Sequence, residues 1–403
     1  MRGSRSHVSR STPPWVIIAG GGTAGHVLPA IAVAQALVDD GCPPAAIRFV
    51  GSARGLERRL VPAAGFEVTL LPGRGIQRRL TPDNVAAATG LVVAFVRVLF
   101  SMIRARPAIV LSMGGFASAP GTVAAVILRV PFVLAESNAR AGAANRLVGR
   151  FARASAVAFN TTGLPRSVLT GNPVRREVRA VAALDRATAR HDSRVALGID
   201  QDRALVVMFG GSLGASRLNN AMFAACDIWS GRAFVIHHVI GERAWDDALV
   251  WKKQWESSHP GQTLDYRQIR YEDRMDLVYA AADVLVCRAG ATSIADICIV
   301  GLPAVLVPLP NAAEDHQTAN ASSLAADGAA VCVPDSELDG ARLALEVDAL
   351  LADAPRRAQM VDAQRARAFP DAARAIVTLL DTHASRPRRP TTAGSAAGSP
   401  TGP

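Results

Sequence analysis

The chain has 403 residues, which is beyond the size at which one hydrophobic core usually stops growing, so a single small module is excluded and two domains are favoured. Of these residues 50% are hydrophobic, 19% are charged and 33 are glycine, a composition that excludes a largely disordered protein and is typical of an α/β fold. The net charge of +10 lies in the front of the chain, because residues 1–175 hold 20 Arg against 6 acidic residues, whereas residues 176–403 hold 24 Lys and Arg against 28 acidic residues.

The first predicted elements are a strand, a glycine turn and a helix. The apolar run 16–19 is followed by a glycine-rich turn at 20–25 and by a helix-periodic segment. The same order returns at 204–226. Further predicted strands alternate with helical segments, at 47–50, 109–111, 132–134, 234–239, 284–286 and 304–307. This alternation predicts an α/β protein with two Rossmann-like domains whose parallel sheets face each other across a cleft.

The composition also suggests where the domains begin and end. Both termini are of low complexity, and the stretch before the second glycine turn is charged, rich in Ala and without a strand pattern. The predicted parts are a disordered tail (1–14), an N-terminal domain (15–175), a hinge (176–200), a C-terminal domain (201–360), a helix (361–382) and a second disordered tail (383–403). Nothing in the helix sequence decides whether it packs back on the first domain.

Targeting and cysteine patterns favour a cytoplasmic protein. The apolar run after the basic start reaches glycine too soon to be the core of a signal peptide. The cysteines form no Cys-x-x-Cys pair and no Cys/His ligand spacing, so neither a disulfide framework nor a structural zinc site is expected. They are Cys42, Cys226, Cys287, Cys298 and Cys332.

One apolar segment, 85–103, is long enough to raise the question of a membrane helix. It contains Arg97, and Arg104 and Arg106 follow it, so a spanning helix would bury a costly charge. We predict a partly buried helix. Contact with a bilayer surface and a purely internal role are both left open. The basic front half suits an anionic partner such as phosphate, nucleic acid or an acidic membrane, and arginines scattered over solvated faces are the alternative.

The first glycine turn matches a phosphate-binding pattern. Gly20, Gly22 and Gly25 have the dinucleotide spacing, and a helix that begins after such a turn offers amide groups to an anion. A nicotinamide site would also need an acid at the end of the second strand, but the next acid is Glu57. A purely structural turn is the other interpretation. His26, just past the last glycine, is either a catalytic base or a capping residue.

Polar residues follow other predicted strands at the same carboxyl edge. Gly114 and Gly115 form a second glycine turn, and Glu136 and Asn138 supply a carboxylate and an amide. Each could be a helix cap, but their convergence on one edge favours a site. Arg175 offers a planar fork of donors for a diphosphate, with an ordinary surface arginine as the alternative.

The second glycine turn repeats the first. Ser212 opens its helix with a hydroxyl and amides, and polar runs at 287–296 and 315–320 follow later strands. No metal site stands out, because Asp200 and Asp202 precede an apolar strand in a turn. No cofactor is therefore required by the sequence, although a loosely bound divalent cation stays compatible with it.

Seven motifs then appear in order: Gly20 to His26 with Pro29, Met113 to Phe116, Glu136 to Asn138, Gly171 to Arg175, Gly210 to Ala215, Arg288 to Gly290, and Asp315 to Gln317. From about 15 to 380 the chain resembles the MurG family, bacterial transferases that move N-acetylglucosamine from UDP-N-acetylglucosamine to lipid I, forming lipid II in peptidoglycan synthesis. The resemblance implies a GT-B fold with the donor held mainly by the C-terminal domain. Lipid I, which is undecaprenyl-pyrophosphoryl-N-acetylmuramoyl-pentapeptide, would be held by the N-terminal domain.

The resemblance also assigns residues. It places His26 and Glu136 at the reacting centre, with His26 the candidate base in an inverting displacement. The implied UDP-N-acetylglucosamine contacts are Thr23, Ala24, Gly25, Asn138, Arg175, Ser212, Tyr271, Ala291, Thr292, Ser293, Ile294, Ala295, Asp296 and Gln317. The implied acceptor and membrane contacts are Arg74, Ile76, Arg78, Arg79, Leu80, Gly114, Gly115 and Arg150. It further implies peripheral attachment to the anionic cytoplasmic face of the cell membrane, no nucleic acid partner, and contact with other cell-wall or division proteins.

Three departures from the family pattern are visible, one of which is Ala135 at a position where a His is common. Asp296 stands where the family usually has Glu for the ribose hydroxyls, and Tyr271 and Glu272 replace a more apolar pair beside the uracil. Two other functions stay open at this point. One is a GT-B enzyme for another glycolipid or natural-product acceptor, and the other is a non-catalytic module that binds a nucleotide sugar or a membrane.

Overall fold

The computed structural model describes residues 13–72, 82–211, 214–310 and 312–388. Contacts group the chain into two compact units. Unit 1 comprises Met1–Ala135, Leu147–Ser155 and Arg374–Pro403, and unit 2 comprises Glu136–Arg146 and Ala156–Ala373. These limits differ from the predicted boundaries, because 136–146 and 156–200 group with the second half of the chain.

The first sheet has seven strands in the order β3-β2-β1-β4-β5-β6-β7. They are β1 (Val16–Ala19), β2 (Ile47–Ser52), β3 (Glu67–Leu71), β4 (Ile109–Ser112), β5 (Phe132–Glu136), β6 (Ala154–Val157) and β7 (Ser167–Leu169). β1 pairs in parallel with both β2 and β4. The central strands are buried apolar runs, as expected where helices cover both faces of a parallel sheet.

Helices connect these strands as crossovers. They are α1 (Ala24–Asp39), α2 (Glu57–Ala63), α3 (Pro82–Arg104), α4 (Ala119–Ile127) and α5 (Ala143–Val148). In the core of unit 1, Val98 and Met102 of α3 pack with Ile17 and Val110 of the central strands. The predicted helix over 85–103 is therefore present, and one of its faces is internal.

The second sheet has six strands in the order β10-β9-β8-β11-β12-β13. They are β8 (Leu205–Phe209), β9 (Val235–Val239), β10 (Asp265–Ile269), β11 (Val284–Cys287), β12 (Ala304–Leu306) and β13 (Val331–Cys332). β8 pairs in parallel with β9 and β11. Two parallel-sheet α/β units were predicted, and this fold class is confirmed.

The remaining helices surround the second sheet or follow it. They are α6 (Arg176–Ala182), α7 (Arg186–Leu197), α8 (Ser216–Trp229), α9 (Trp245–Ser258), α10 (Met275–Ala281), α11 (Ala291–Val300), α12 (His316–Ala326), α13 (Gly340–Ala352), α14 (Ala354–Arg365) and α15 (Ala372–His383).

The stretch predicted as a hinge, 176–200, forms α6 and α7 and packs on α10 within unit 2. Arg194 is fully buried, and its Nη2 donates to Asp283 Oδ2 at 2.7 Å. Arg190 Nε donates to the other oxygen of Asp283 at 3.1 Å. A buried arginine keeps its charge only when it is paired, so this carboxylate ties α7 to the start of β11.

The start of the predicted C-terminal tail is also ordered. Ser385 N donates to Ala108 O at 3.0 Å, and Arg386 O accepts from Trp15 Nε1 at 2.9 Å. Residues 383–388 therefore belong to unit 1 and hold the beginning of its first strand. Residues 1–12 and 389–403 of the predicted tails lie outside the described residues.

Candidate functional site

In unit 1 the first glycine turn leads from β1 into α1. Gly21 and Gly22 have φ values of 153° and 94°, and Thr23 is the N-cap of the helix. A side chain at Gly20 would place its Cβ 2.6 Å from Met113 Cβ. Glycine is therefore required for both the turn and the close approach of the second glycine turn. Ala24 and Gly25 form the first turn of α1.

His26 projects from the first turn of α1 and lies between the two glycine turns. Its Nδ1 is 3.1 Å from Thr23 Oγ1. A Cβ built on Gly115, where φ is 75°, would lie 3.4 Å from His26 Cε1. Gly114 also has a positive φ, of 80°. The structure thus brings Thr23, His26 and the second glycine turn together.

Glu57 has no role among the predicted site residues, but in the structure it lies under the first glycine turn. Its side chain is 1% exposed and belongs to the first turn of α2. Gly22 N donates to Glu57 Oε2 at 2.9 Å and to Oε1 at 3.2 Å, and Ser52 N donates to Oε1. The one sequence signal is that glycines at 51 and 55 leave room for a side chain beside the turn.

Glu136 lies in unit 2 at the end of β5 and is 6% exposed. Its Oε1 accepts from the backbone N and from Nδ2 of Asn138, both at 3.1 Å. Its Oε2 accepts from Gly142 N at 3.0 Å and from Asn145 Nδ2 at 2.9 Å. Both oxygens are thus used in organising the loop that carries Asn138.

A buried amide fixes the same loop from another helix. Asn320 of α12 is 0% exposed, and its Oδ1 accepts from Ala139 N at 2.8 Å. Its Nδ2 donates to Asn138 Oδ1 and to Ala289 O, both at 3.2 Å. Asn320 was predicted only as the end of the polar run 315–320, which follows β12. A buried polar residue of this kind has no signature in a single sequence.

Arg175 and Asp296 form an ion pair in unit 2, with Nη2 and Oδ2 3.1 Å apart. The Asp296 side chain is 2% exposed. Burial raises the pKa of Asp296 to about 6, although Arg175 opposes the shift. Interaction of the Tyr279 hydroxyl with the carboxylate also opposes this shift, and Oδ1 makes no hydrogen bond of ordinary distance and angle with the described residues. A buried oxygen without a donor is suited to a ligand hydroxyl.

The N-terminal turn of α11 supplies the other predicted donor contacts. Thr292 Oγ1 is buried and makes no hydrogen bond with the described residues. Ala291 and Ile294 are buried, and Ser293 and Ala295 are half-buried. The helix N-terminus carries partial positive charge, so a diphosphate near this turn would be stabilised.

Tyr271 and Glu272 follow β10 in unit 2. Tyr271 is 45% exposed. Glu272 Oε2 is 3.1 Å from Nε2 of His237, a buried residue of β9, and Glu272 Oε1 accepts from Arg274 N at 2.8 Å. The hydrogen bond from His237 holds the pKa of Glu272 below its ordinary value. Glu272 therefore fixes the segment that carries Tyr271, which is a structural role for the acid at this position.

Gln317 lies in the first turn of α12, and its Oε1 accepts from Leu309 N at 2.9 Å, which fixes the orientation of its amide. Ser212 lies outside the described residues, as do Arg74, Ile76, Arg78, Arg79 and Leu80. In the part of the chain that the structure describes, no group of three or more His, Cys, Asp or Glu is arranged to hold a metal. Asp200 Oδ1 accepts from Asp202 N at 2.9 Å, so the Asp200 side chain stabilises a turn.

Helices α3 and α4 pack against each other, and both expose apolar side chains. We call this group of side chains the apolar face. Its residues are Val92, Val93, Val96, Phe100 and Ile103 of α3 with Val123 and Ile127 of α4. Phe100 is 67% exposed and Ile103 59% exposed. Arg97, Arg104 and Arg129 on the same helices or just after them are also exposed. None of the helices in the described ranges combines the length and apolar character needed to cross a bilayer.

A second exposed group in unit 1 begins with Leu147 in the last turn of α5 and extends to Phe151. Leu147 is 70% exposed and Phe151 50% exposed. The Arg150 guanidinium carbon lies 4.7 Å from the centre of the Phe151 ring, within the range of a cation–π contact. These exposed side chains are of the apolar and basic types predicted for the acceptor and membrane contacts.

Comparison with known proteins shows matches along both halves of the chain. The model of the glycosyltransferase family 28 N-terminal domain matches residues 16–157, and that of the family 28 C-terminal domain matches residues 205–376. The UDP-N-acetylglucosamine–N-acetylmuramyl-(pentapeptide) pyrophosphoryl-undecaprenol N-acetylglucosamine transferase of Acidothermus cellulolyticus is 39% identical over 378 residues, which is 93% of this chain and 99% of the relative. The enzyme of the same name from Mycobacterium avium is 38% identical over 92% of this chain and 89% of its own.

Solved structures agree with these matches. A crystal structure of MurG from Acinetobacter baumannii has a TM-score of 0.68 and 27% identity, and it covers 92% of this chain and 100% of its own. A UDP-GlcNAc 2-epimerase from Neisseria meningitidis has a TM-score of 0.62 at 14% identity, covering 91% of this chain and 98% of its own. At that identity the epimerase is similar in fold alone.

Proposed function

Because the chain belongs to the MurG family within glycosyltransferase family 28, we infer its reaction from that family and propose which of its own residues carry each step. It transfers N-acetylglucosamine from UDP-N-acetylglucosamine to the 4-hydroxyl of the N-acetylmuramoyl-pentapeptide of lipid I, which forms lipid II. The observation that carries this function is 39% identity over 93% of the chain to a curated transferase of that name. The confirmed pair of parallel-sheet units agrees with it.

We assign donor binding mainly to unit 2. The buried Oδ1 of Asp296 accepts a ribose hydroxyl, and Arg175 holds the same carboxylate while presenting its remaining donors. The N-terminal turn of α11 receives the diphosphate, with the free Thr292 hydroxyl as a donor. Tyr271 lies against the uracil, on a segment fixed by Glu272. These assignments are supported by unused polar groups on neighbouring elements.

An α-linked donor and a β-1,4 product require inversion at the anomeric carbon. The acceptor oxygen forms a bond to that carbon while the bond to the diphosphate oxygen breaks, and UDP leaves with the electron pair. The proton of the acceptor 4-hydroxyl must go to a base. We propose His26 as that base, because both oxygens of Glu136 are already occupied by four donors.

This role fixes the tautomer of His26. A ring nitrogen can accept a proton only if it carries none, so the base would be Nε2 with the hydrogen on Nδ1. Nδ1–H then donates to Thr23 Oγ1, which lies 3.1 Å away. The hydroxyl of Thr23 thus supports the charged imidazolium that forms during transfer. Thr23 is therefore assigned to orienting the base as well as to the donor.

No cofactor enters this scheme. The charge that develops on UDP is met by helix N-termini and by Arg175. A loosely bound divalent cation stays compatible with the scheme, and it is tested by the rate of transfer with chelator against the rate with added Mg²⁺. Equal rates support transfer without metal, and a complete loss in chelator contradicts it.

Membrane attachment is a further part of the proposal. We assign peripheral binding at the cytoplasmic face to the apolar face of α3 and α4, together with Leu147, Arg150 and Phe151. Apolar side chains in the headgroup boundary and arginines near anionic lipid both contribute to such binding. The predicted contacts at 74–80 belong to the same proposal. Other cell-wall or division proteins stay as predicted partners without an assigned surface.

The experiment that tests the function uses purified protein, radiolabelled UDP-N-acetylglucosamine and lipid I in detergent. Transfer of label into a product with the mass of lipid II is expected. Transfer only to a different glycolipid would instead support the other acceptor class. Binding of UDP without transfer to any acceptor would support the non-catalytic module.

A further inference from the structure

We propose that Glu57 is a positioning residue for the transfer reaction, and that it acts by fixing the first glycine turn and thereby the His26 ring. The inference rests on the proposed function of His26 as the base. The carboxylate touches neither the imidazole nor any group that we assign to substrate, so it is not a catalytic residue. It acts through Gly22 and Thr23.

The Glu57 carboxylate accepts hydrogen bonds from a backbone amide of the first glycine turn, as a bound anion would. Glu57 is 1% exposed, and both of its oxygens accept from Gly22 N while Oε1 also accepts from Ser52 N. No cationic side chain is paired with it among the described salt bridges of unit 1. A buried carboxylate stabilised only by backbone amides is a strong acceptor with a fixed geometry.

The surrounding glycines make room for this side chain. A Cβ added at Gly21 or at Gly55 would overlap the carboxylate oxygens of Glu57, and one at Gly51 would lie 2.6 Å from its Cγ. Three glycines on two segments thus line the same side chain. The backbone at these three glycines approaches the Glu57 side chain so closely that any larger residue there would displace the carboxylate.

The connection from Glu57 to His26 runs through consecutive residues. Gly22, whose amide binds the carboxylate, directly precedes Thr23, the N-cap of α1. Thr23 O accepts from His26 N at 3.2 Å, and Thr23 Oγ1 contacts His26 Nδ1 at 3.1 Å. On its other side the ring rests against Gly115. A shift of Gly22 would therefore move the hydroxyl that sets both the tautomer and the direction of the ring.

A second consequence concerns the Gly22 amide. Because Glu57 already occupies it, this amide is not open to a phosphate, and the buried negative charge would repel one placed there. The first glycine turn, although it has the spacing of a phosphate-binding loop, is then a support for the base. The diphosphate of UDP is then bound by unit 2.

The test is Glu57→Gln in the full-length protein, with Glu67→Gln as matched control, because the Glu67 side chain is 70% exposed on β3 of the same unit. Glutamine keeps the size but puts an NH₂ group opposite the Gly22 N–H. We expect kcat to fall about tenfold or more, since small misplacements of a reacting group are costly. KM for UDP-N-acetylglucosamine should stay within about twofold, and the control should be unchanged.

A double-mutant cycle separates positioning from a general structural role. In the His26→Ala background, Glu57→Gln should change the residual kcat by less than about twofold, because the group through which it acts is gone. An equal loss of kcat in both backgrounds, or a parallel change in kcat and KM that follows the thermal unfolding temperature, would overturn the proposal. If His26→Ala alone leaves kcat unchanged, it is the base assignment that fails.

A second variant tests the proposal if the Glu57→Gln protein does not fold. Gly55→Ala places a methyl group against the carboxylate and should displace it from the Gly22 amide. It should give the same split between kcat and KM, with faster hydrogen exchange at Gly22. Unchanged exchange together with unchanged kcat would contradict the proposal.

Discussion

Arg175 and Asp296 form a buried ion pair, 3.1 Å between Nη2 and Oδ2, in which the other carboxylate oxygen makes no hydrogen bond of ordinary distance and angle with the described residues. Because burial raises the pKa of Asp296 to about 6, the group is half protonated near that pH. The ionised form accepts a ribose hydroxyl better than the neutral acid. This pair therefore links donor binding to pH.

We predict that KM for UDP-N-acetylglucosamine rises as the pH falls through about 6, the pKa of Asp296. Asp296→Asn should raise this KM at every pH and remove its dependence on pH between 5 and 7, an interval of about one unit either side of that pKa. Steady-state kinetics with saturating lipid I measure both. Glu256→Gln on α9, whose side chain is 49% exposed, is the control. A wild-type KM that is constant over this interval would contradict the assignment.

Removal of Arg175 tests the same pair through stability. Arg175→Gln leaves a buried carboxylate without its cation, which we expect to cost about 3 kcal/mol of the free energy of unfolding at pH 7.5. Adding Asp296→Asn should restore much of that loss, since neither charge is then unpaired, while donor binding stays weak. Urea denaturation measures the stability and calorimetry with UDP the binding. Equal stability of Arg175→Gln and wild type would show that the pair does not hold the donor site together.

The base assignment predicts different results for two changes at Thr23. Thr23→Val removes the hydroxyl beside His26 Nδ1 and should lower kcat about tenfold, whereas Thr23→Ser keeps the hydroxyl and should stay within about threefold. His26→Ala should lower kcat about 100-fold with unchanged affinity for UDP-N-acetylglucosamine. Kinetics and calorimetry give the two quantities. A normal kcat in His26→Ala would remove this residue from proton transfer.

Membrane attachment is tested at the apolar face. Phe100→Asp combined with Ile103→Asp should strongly reduce binding to vesicles that contain phosphatidylglycerol, because two exposed apolar anchors are replaced by like-charged groups. Cosedimentation measures the bound fraction, and the matched control is Leu345→Asp on α13, where the leucine is 64% exposed. Raising the salt concentration should weaken the arginine contribution. Equal loss in the control variant would argue against a specific face.

The predicted strands and the strands that were not predicted differ in their place within the sheets. β1, β4, β8 and β11 are central and buried on both faces, so they read as continuous apolar runs. Five strands were missed: β3, β7, β10 and β13 are the four sheet edges, and β6, a short Ala-Ser-Ala-Val segment, lies next to the edge strand β7. β10, with the sequence Asp-Tyr-Arg-Gln-Ile, is half polar because one side of it faces solvent. An edge strand has no pattern that separates it from a loop.

The candidate site shows a similar division. The glycine turns and His26 were found as candidates because strand–turn–helix junctions are local in sequence, and Arg175 was assigned to the donor by the family resemblance. Glu57, Asn320 and His237 were not among the predicted site residues, although each holds a predicted segment in place. Their partners are 35, 181 and 35 residues away in sequence. Contacts over such separations come from the tertiary fold, and a single sequence does not reveal them.

The most direct measurement of the central claim is the identity of the product made from UDP-N-acetylglucosamine and lipid I by the purified chain. Mass spectrometry and linkage analysis should show one added N-acetylglucosamine in a β-1,4 bond to the muramoyl sugar, with UDP released in equal amount. Release of UDP without that disaccharide, or an α linkage in the product, would contradict an inverting transfer to lipid I.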